Sequence, residues 1–368
     1  MKNSYSNWVE IDLSAIKHNV AYVHQLTGVN VMAVVKANGY GHGDLPVAKA
    51  ALNGGANWLG VARVDEALKL RQDGLDCPIL LLGHTPTGRL TETINNQISL
   101  TVWENAQVKQ ASKIGIRLGK SARLHLKVDT GMGRLGTTPE GAIRLAKFIN
   151  QQQGVILEGI FTHFARADEI DTNTSTKQET KFRHTLNELN SINITPRVIH
   201  AANSAASLTR PSACFDMIRL GIAMYGLNPS NEVRIPSSMT PALSWKSVLS
   251  QVKELPAKFG LSYGHEYQTK GKELIGTIPV GYADGYRRTK NNIVLVNGHR
   301  APVVGRVCMD QILVKLDKKV EAQSGQEVVL LGVQGNERIS AEEIAKSWNT
   351  INYEVVCGIS SRVPRFYS

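Results

Sequence analysis

The chain has 368 residues and a formal net charge of +11, with 42 lysines and arginines against 31 acidic residues. Hydrophobic residues make up 42% of it and charged residues 20%, a globular composition that excludes a disordered or collagen-like chain. The basic excess would suit a nucleic-acid binder. The positive residues are scattered, however, and no basic run or reading motif accompanies them, so only the net charge supports that class.

No apolar run approaches the ~20 residues that a membrane-spanning helix needs, which excludes a spanning protein. The amino-terminal segment carries Glu10 and Asp12 where a signal peptide would have its apolar core. The four cysteines lie far apart without a C-x-x-C pair, a spacing that fits a reducing compartment better than a zinc site or a disulfide framework. We therefore expect a cytoplasmic protein without a structural metal.

Short apolar runs alternate with segments of helical periodicity through the first two thirds of the chain. The alternation predicts eight parallel strands with helices between them, which favours a closed (β/α)8 barrel over an open doubly wound sheet. One intervening helix is predicted to begin at Pro139, with Thr138 as its cap. The predicted strands are 29–37, 57–62, 78–83, 98–103, 123–129, 157–163, 197–202 and 217–225.

The pattern changes after about Pro236, where short strand-like runs separated by glycine and asparagine turns predict a β-rich domain. One late helix is predicted from Ala341, because Ser340 and Glu343 have the spacing of a capping box. We therefore expect a barrel over residues 1–238 and a β-rich carboxyl-terminal domain over residues 239–368.

Lys36 closes the first predicted barrel strand, at the end where such barrels carry their chemistry. Burying its ammonium unpaired would be costly, so it either reaches to the rim or is a desolvated amine that forms a Schiff base. A Schiff-base lysine indicates pyridoxal phosphate, whose phosphate such barrels often hold in the loops after strands seven and eight. Ser204, Gly221 and Ile222 occupy those loops, although Ser204 could equally be a plain helix cap.

The segment GMGRLG at 131–136 matches the dinucleotide pattern G-x-G-x-x-G, and Glu158 follows about twenty residues later. Its glycines do not open a helix directly, since the next helix is predicted to start only at Thr138. The segment also belongs to the fifth β/α unit, whereas the fingerprint belongs to the first unit of a Rossmann fold. We therefore assign no NAD site to it.

A series of motifs runs in order from Trp8 to Phe366: AVVKANGYGHG, LKVDTGMGRLG, THFARAD, HAANSAA, IRLGIAMYGL, LSYG, GYADGYRR, VGRVCMDQ and INYEV. Together they resemble the alanine racemase family. The resemblance implies a β/α barrel with a carboxyl-terminal β domain, in agreement with the periodicity. It also implies that the protein interconverts L-alanine and D-alanine on pyridoxal phosphate and supplies D-alanine for peptidoglycan.

The resemblance assigns roles residue by residue. Lys36 would carry the cofactor and share the acid/base work with Tyr263, the two groups serving opposite faces of the substrate. Arg134 and the backbone of Met309 would hold the substrate carboxylate, with Asp310 as a nearby support. The nearest alternatives of the same fold are a broad-specificity racemase and a decarboxylase. The two carboxylate contacts argue against the decarboxylase but not against the broad-specificity racemase.

The implied cofactor contacts include Arg219 at the pyridine nitrogen with His163 beside it. Lys127 matches a position that is a carbamylated lysine in some family members. Gly39 departs from the alanine that is usual there, which puts only the stiffness of its turn in doubt. The resemblance further implies a homodimer with shared active sites, whereas a non-catalytic cofactor carrier would usually be the barrel alone. The full set of implied cofactor contacts is Lys36, Tyr40, His163, Ser204, Arg219, Gly221, Ile222 and Tyr353.

Overall fold

The computed structural model describes residues 4–368, which form two compact units. The β-rich unit contains the residues up to Leu13, the segment Tyr40–Gly43 and Pro241–Ser368. The barrel unit contains Ser14–Gly39 and Asp44–Thr240. The first strand, β1 (Asn7–Ile11), therefore belongs to the β-rich unit although it precedes the barrel in the chain.

The barrel unit is built on a sheet of eight parallel strands. From the first to the seventh, each strand pairs with its neighbour in the chain, and the first also pairs with the eighth. The ring nearly closes between the seventh and eighth strands, where the backbone N–H of Arg219 donates to the Ala202 carbonyl at 2.9 Å. This architecture confirms the predicted barrel. Its strands are β2 (Asn30–Val34), β3 (Trp58–Val61), β4 (Ile79–Leu81), β5 (Ser99–Val102), β6 (Ala122–Lys127), β7 (Val155–Phe161), β8 (Val198–His200) and β9 (Met217–Leu220).

Helices connect the strands. The predicted start of one of them is confirmed, because the Thr138 hydroxyl accepts the Gly141 N–H at 3.1 Å and Pro139 is the first helical residue. Short 3-10 helices, among them Ile222–Tyr225, complete the loops. The helices are α1 (Leu13–Thr27), α2 (Asp44–Asn53), α3 (Val64–Gln72), α4 (Leu90–Asn95), α5 (Asn105–Leu118), α6 (Pro139–Asn150), α7 (Asn173–Ser191) and α8 (Ser204–Thr209).

The β-rich unit contains a ten-stranded sheet in which β1 pairs antiparallel with β10 (Leu243–Val248) and parallel with β20 (Arg365–Tyr367). Its two helices are α9 (Ala341–Ser347) and α10 (Asn352–Cys357), and the Ser340 hydroxyl caps α9 by accepting the Glu343 N–H at 3.2 Å, as predicted. The remaining strands are β11 (Gln251–Leu255), β12 (Gly260–Leu261), β13 (Tyr267–Gln268), β14 (Glu273–Ile278), β15 (Ile293–Val296), β16 (His299–Val304), β17 (Ile312–Leu316), β18 (Glu327–Gln334) and β19 (Glu337–Ile339).

Apolar side chains from the strands pack part of the barrel interior, beside buried polar side chains from the same strands. A buried cluster joins Met32, Trp58, Leu80, Val198 and Met217, which come from five different strands. In such barrels the residues that carry chemistry lie at the carboxyl ends of the strands. Within residues 4–368, no helix is long and apolar enough to cross a membrane.

Candidate active site

Lys36 lies just beyond β2, at the carboxyl end of the barrel strands, and is half-buried. The four residues after it all have left-handed backbone angles, with φ of 54° at Ala37, 54° at Asn38, 59° at Gly39 and 52° at Tyr40. Residues with a β-carbon rarely adopt this conformation, which costs roughly 1–2 kcal/mol each. A left-handed turn of this length therefore needs contacts that hold it.

The Glu66 carboxylate supplies such contacts. One oxygen accepts the Ala37 N–H at 2.7 Å, and the other accepts the N–H groups of Ala62 at 2.8 Å and Arg63 at 3.0 Å. Glu66 belongs to the first turn of α3, so a single carboxylate joins the end of β3, the start of α3 and the residue after Lys36. This arrangement fixes the backbone that presents the Lys36 amine.

Arg219 lies on β9 with only 4% of its surface exposed. Its Nη2 donates to the carbonyls of Thr162 at 2.8 Å and Ala201 at 2.7 Å and lies 3.1 Å from His163 Nδ1. Its Nη1 lies 3.0 Å from His200 Nδ1. These partners are carbonyls and imidazoles, so the structure holds the guanidinium rigidly without giving it an anionic partner among the described residues.

Several positive charges gather around this position. Burial, and then the charge of Arg134, lowers the pKa of Arg219 to about 9, which leaves it charged at neutral pH. Burial also lowers the pKa of His163 well below its usual value, reinforced by Arg219, Lys127, Arg134 and Lys36. His163 is therefore neutral. The resulting excess of positive charge at the carboxyl ends of the strands fits an anionic ligand.

The buried Ser204 hydroxyl lies at the loop that follows β9, where it accepts the N–H groups of Gly221 at 2.9 Å and Ala223 at 3.3 Å. The alternative that Ser204 is a plain helix cap is wrong, because the cap of α8 is the Asn203 side chain. The backbone N–H of the buried Ile222 has no acceptor among the described residues. A hydroxyl and a neighbouring free N–H form a small cluster of donors suited to phosphate.

Lys127 is the last residue of β6 and is buried, with its Nζ 4.4 Å from the centre of the Phe161 ring. Burial lowers the pKa of Lys127 well below its usual value, and the charges of Arg219 and Arg134 lower it further. A buried lysine in this position favours its neutral amine form, which is the nucleophilic form.

The loop after β6 is organised by Asp129. Its carboxylate accepts the backbone N–H groups of Gly131 at 2.9 Å, Met132 at 2.9 Å and Gly133 at 3.0 Å. Burial opposes ionisation of this carboxyl, but those hydrogen bonds outweigh it and lower its pKa. The first three N–H groups of the G-x-G-x-x-G segment are thus engaged internally, and α6 begins only at Pro139, so the segment does not open a helix as a dinucleotide loop does.

In the β-rich unit, the rings of Tyr40 and Tyr353 lie with their centres 6.2 Å apart. Tyr40 is buried, and this burial, reinforced by Tyr353, raises the pKa of the Tyr40 hydroxyl. The hydroxyl is therefore protonated at neutral pH and can donate a hydrogen bond.

Tyr263 opens a 3-10 turn after β12 and is 70% exposed, an unusual position for a large aromatic side chain. The turn is held by Ser262, whose φ is 58° and whose hydroxyl donates to the Arg306 carbonyl at 2.6 Å. The backbone thus fixes where Tyr263 emerges, while the described residues leave most of its ring in solvent.

Met309 lies in a second exposed loop of the same unit and is 53% exposed. Its carbonyl accepts the Ala283 N–H at 3.0 Å, and a β-carbon at Gly281 would lie 2.1 Å from that carbonyl oxygen, so only glycine fits there. The neighbouring Asp310 pairs with Arg362 at 2.7 Å. These contacts give the Met309 backbone a defined position.

Sequence reasoning did not identify Glu66, His200 or His125 as site residues. The last two are buried polar residues on barrel strands, His200 beside Arg219 and His125 beside His200. A histidine inside an otherwise apolar predicted strand was the available signal, although a core histidine with satisfied hydrogen bonds gives the same pattern.

Comparison with known proteins gives one consistent result. Family models described as "Alanine racemase, N-terminal domain" and "Alanine racemase, C-terminal domain" match residues 11–229 and 242–367. A protein named alanine racemase from Symbiobacterium thermophilum is 45% identical, covering 98% of this chain and 96% of that protein.

Solved structures agree. An alanine racemase from Clostridium difficile 630 superimposes with a TM-score of 0.95 at 38% identity, over 99% of this chain and 96% of that one. An alanine racemase from Bacillus anthracis, solved with bound L-Ala-P, superimposes with a TM-score of 0.93 at 42% identity, over 99% of this chain and 95% of that one. Both domains, their order and the barrel architecture correspond, and the chain belongs to the alanine racemase family.

Proposed function

We propose that this protein is a cytoplasmic, pyridoxal-phosphate-dependent alanine racemase that interconverts L-alanine and D-alanine and supplies D-alanine for peptidoglycan synthesis. The observation that carries the proposal is the placement of Lys36 at the carboxyl ends of the barrel strands, near the charges of Arg219 and Arg134, in a chain related to alanine racemases over both domains. The B. anthracis relative with bound L-Ala-P supports an alanine-sized amino acid as the substrate.

The donor set of the barrel unit fits pyridoxal phosphate. Lys36 would hold the cofactor covalently, and the Ser204 hydroxyl with the Gly221 and Ile222 backbone would contact its phosphate. Arg219 would face its ring nitrogen, with His163 beside it. By the resemblance, the hydroxyls of Tyr40 and Tyr353 also contact the phosphate, and the protonated state of Tyr40 suits that role.

When bound, pyridoxal phosphate withdraws electrons from the amino acid and makes its α-hydrogen acidic. Lys36 Nζ would remove or return that proton on one face of the substrate, and Tyr263 Oη on the other. Arg134 and the Met309 backbone N–H would hold the substrate carboxylate, so that the α-carbon stays between the two groups.

Arg219 would tune this chemistry by its charge. A guanidinium can only donate hydrogen bonds, so Arg219 would donate one to the ring nitrogen and keep a proton off that atom. Arg219 would in this way weaken the electron withdrawal and limit side reactions such as transamination. The rigid hydrogen bonds to Thr162 and Ala201 support this role, because they prevent the side chain from turning away.

Two further inferences concern assembly and modification, and the first is a homodimer with shared active sites. Tyr263 and Met309 are 70% and 53% exposed, although the proposed mechanism needs both against the substrate. Residues with such a task are not expected to face solvent. We infer that each β-rich unit supplies them to the barrel of the second copy, which two-fold symmetry repeats as two equivalent sites.

The second inference is that Lys127 is carbamylated. Its neutral amine would attack carbon dioxide, forming an N–C bond and releasing one proton to solvent. The resulting anion would lie near Arg219 and Arg134, whose charges contribute to the lowered pKa of the Lys127 amine. Carbon NMR with labelled bicarbonate checks this, with a carbamate signal expected in the wild type and absent from Lys127→Ala. A bare amine in the wild type would contradict it.

The decisive test of the activity is incubation of the protein, loaded with pyridoxal phosphate, with L-alanine in deuterated water. We expect loss of optical rotation together with deuterium at the α-carbon. Carbon dioxide release would indicate a decarboxylase, whereas no change would leave a cofactor carrier. Equal rates with larger amino acids would indicate a broad-specificity racemase.

A further inference from the structure

A chain of hydrogen bonds runs through the barrel core from Arg219 to Glu158. Arg219 Nη1 lies 3.0 Å from His200 Nδ1, and His200 Nε2 lies 3.0 Å from His125 Nδ1. His125 Nε2 in turn lies 3.2 Å from a Glu158 oxygen. Both histidines are fully buried and Glu158 is 5% exposed. The reaction proposed above does not use His200, His125 or Glu158.

The chain satisfies all its members in only one direction. A guanidinium only donates, so His200 Nδ1 must accept and His200 Nε2 must carry the proton. His200 then donates to His125 Nδ1, so the proton of His125 lies on Nε2 and is donated to Glu158, which accepts as a carboxylate. Reversing either imidazole would place two N–H groups against each other in a fully buried site.

The charge states agree with this direction. Burial lowers the pKa of His200 well below its usual value and lowers that of His125 as well, so both imidazoles are neutral. For Glu158, burial opposes ionisation, but hydrogen bonds from His125 and Ser99 outweigh it and lower the pKa of the carboxyl. The Ser99 hydroxyl donates to the same Glu158 oxygen at 2.5 Å. The chain therefore joins a buried cation to a buried anion through two neutral rings.

The backbone is shaped around this chain. The pairing of β6 with β7 shifts by one residue at Glu158, since Leu124 pairs with Leu157 whereas His125 pairs with Gly159. Such a bulge re-aims a side chain, here that of Glu158. A β-carbon at Gly159 would lie 2.4 Å from His125 Nδ1, so only glycine leaves room for the imidazole.

Aromatic rings hold both imidazoles from the side. Phe161 stacks on His200 with ring centres 4.6 Å apart and planes 7° apart, and Trp58 meets His125 edge-on at 5.4 Å. The Phe161 ring also lies 5.2 Å from the Arg219 guanidinium. The rings are thus fixed in plane as well as in hydrogen bonding.

We propose that His125 and Glu158 are positioning residues of the cofactor site, which hold His200 as its Nε2–H tautomer with the Nδ1 lone pair on Arg219. They act through Arg219, keeping its guanidinium oriented toward the ring nitrogen of the cofactor. The assignment of Arg219 to that nitrogen rests on the proposed function, whereas the tautomer is a property of this chain alone.

Neutron diffraction from crystals of the full chain loaded with pyridoxal phosphate tests the tautomer directly. We expect deuterium on Nε2 of both His200 and His125, and none on either Nδ1 or on Glu158. Deuterium on His200 Nδ1 would overturn the proposal whatever the activity of the enzyme. Because this readout needs no turnover, a protein that racemises nothing would sink the proposed function without deciding the tautomer.

Kinetics then separate positioning from packing. His125→Gln keeps an acceptor for His200 and a donor for Glu158, whereas His125→Leu fills the space without either. We expect His125→Leu to lower kcat by about 10–100-fold with little change in KM for alanine, as for other outer partners of site groups. His125→Gln should recover most of that loss.

The matched control is Ser99→Ala, which removes a hydrogen bond to Glu158 but leaves the chain itself intact. It should keep nearly wild-type kcat, and melting temperatures of all variants report how far each is destabilised. If His125→Leu and His125→Gln had equal kcat, or if kcat followed the melting temperature alone, the residues would be structural and the proposal would fail.

Discussion

The left-handed turn after Lys36 can be tested at Gly39. Its φ is 59°, and an added β-carbon would lie 3.3 Å from the Asp44 backbone nitrogen, closer than ordinary contact. A left-handed backbone costs a residue with a β-carbon roughly 1–2 kcal/mol. Alanine returns about 0.4–1 kcal/mol by restricting the unfolded chain. With the close Asp44 contact added, we expect Gly39→Ala to lower the free energy of unfolding by about 1–2 kcal/mol.

Gly119→Ala is the matched control for this substitution. Gly119 ends α5 with a φ of 63°, and a β-carbon there would meet nothing within 4 Å. It therefore reports the backbone cost alone, for which we expect about 1 kcal/mol. The difference between the two variants measures the contact with Asp44.

Urea unfolding, followed by circular dichroism at one fixed cofactor concentration, gives both values. A substitution that alters only stability moves the midpoint and leaves the slope unchanged. The reasoning is refuted if Gly39→Ala is as stable as the wild type while Gly119→Ala loses stability. That outcome would mean that the turn is not held in the left-handed conformation.

Three further substitutions test the site. Lys36→Ala should abolish racemisation and leave the cofactor bound only non-covalently, so that mass spectrometry finds no cofactor fixed to the protein by borohydride. The control Lys49→Ala, at an exposed lysine of α2, should change neither racemisation nor borohydride fixation. Normal turnover by Lys36→Ala would end the assignment of Lys36 as the cofactor lysine. Tyr263→Phe should slow single-turnover exchange of the α-hydrogen of L-alanine far more than that of D-alanine, and equal losses would contradict the two-group assignment. Glu66→Gln places an amide NH2 group against backbone N–H donors, so it should lower the free energy of unfolding by about 1–3 kcal/mol and reduce kcat. An unchanged urea midpoint would show that the Glu66 carboxylate does not hold the turn after Lys36.

The barrel was predictable because each of its strands is a short apolar run bounded by polar or glycine-rich segments. The end of the last predicted barrel strand shows what an apolar run alone cannot predict. The run predicted as a strand over 217–225 is a strand only to Leu220, and Ile222–Tyr225 winds into a 3-10 helix. All four of those residues are buried, and a buried helical turn and a buried strand are equally apolar, so periodicity cannot separate them.

The strand β1 was not predicted at all. Three of its five residues are buried and two are partly buried, but their partners are β10 and β20, which lie more than 200 residues further along the chain. The sequence of β1 by itself does not indicate a pairing with strands so far along the chain. The propensity of a short amphipathic strand is decided by the sheet that receives it.

The candidate site likewise contains residues that the sequence could identify and residues that it could not. Lys36 and Ser204 could be identified because they stand at or just beyond the ends of predicted strands, whereas the role of Arg219 came from the family resemblance. The turn after Lys36 could not, since Ala37 and Tyr40 have no local preference for a left-handed backbone and adopt it through contacts such as that of Glu66. Glu158 was noticed only as part of a dinucleotide pattern, and its real position depends on a one-residue shift between β6 and β7.

The shared active site makes the sharpest prediction about assembly. Lys36 and Tyr263 belong to different units of the chain, and Tyr263 is 70% exposed in a single copy. We expect the inactive variants Lys36→Ala and Tyr263→Phe to recover activity when they are mixed under conditions that exchange subunits. In a mixed dimer one site lacks both residues and the other has both, because each barrel receives Tyr263 from its partner. With equal amounts and random assortment about half the dimers are mixed, so about a quarter of all sites should be restored. If each copy used its own Tyr263, every site would lack one residue and no activity would return. Continued inactivity after exchange has been verified by native mass spectrometry would therefore rule out sharing and leave each chain with a self-contained site.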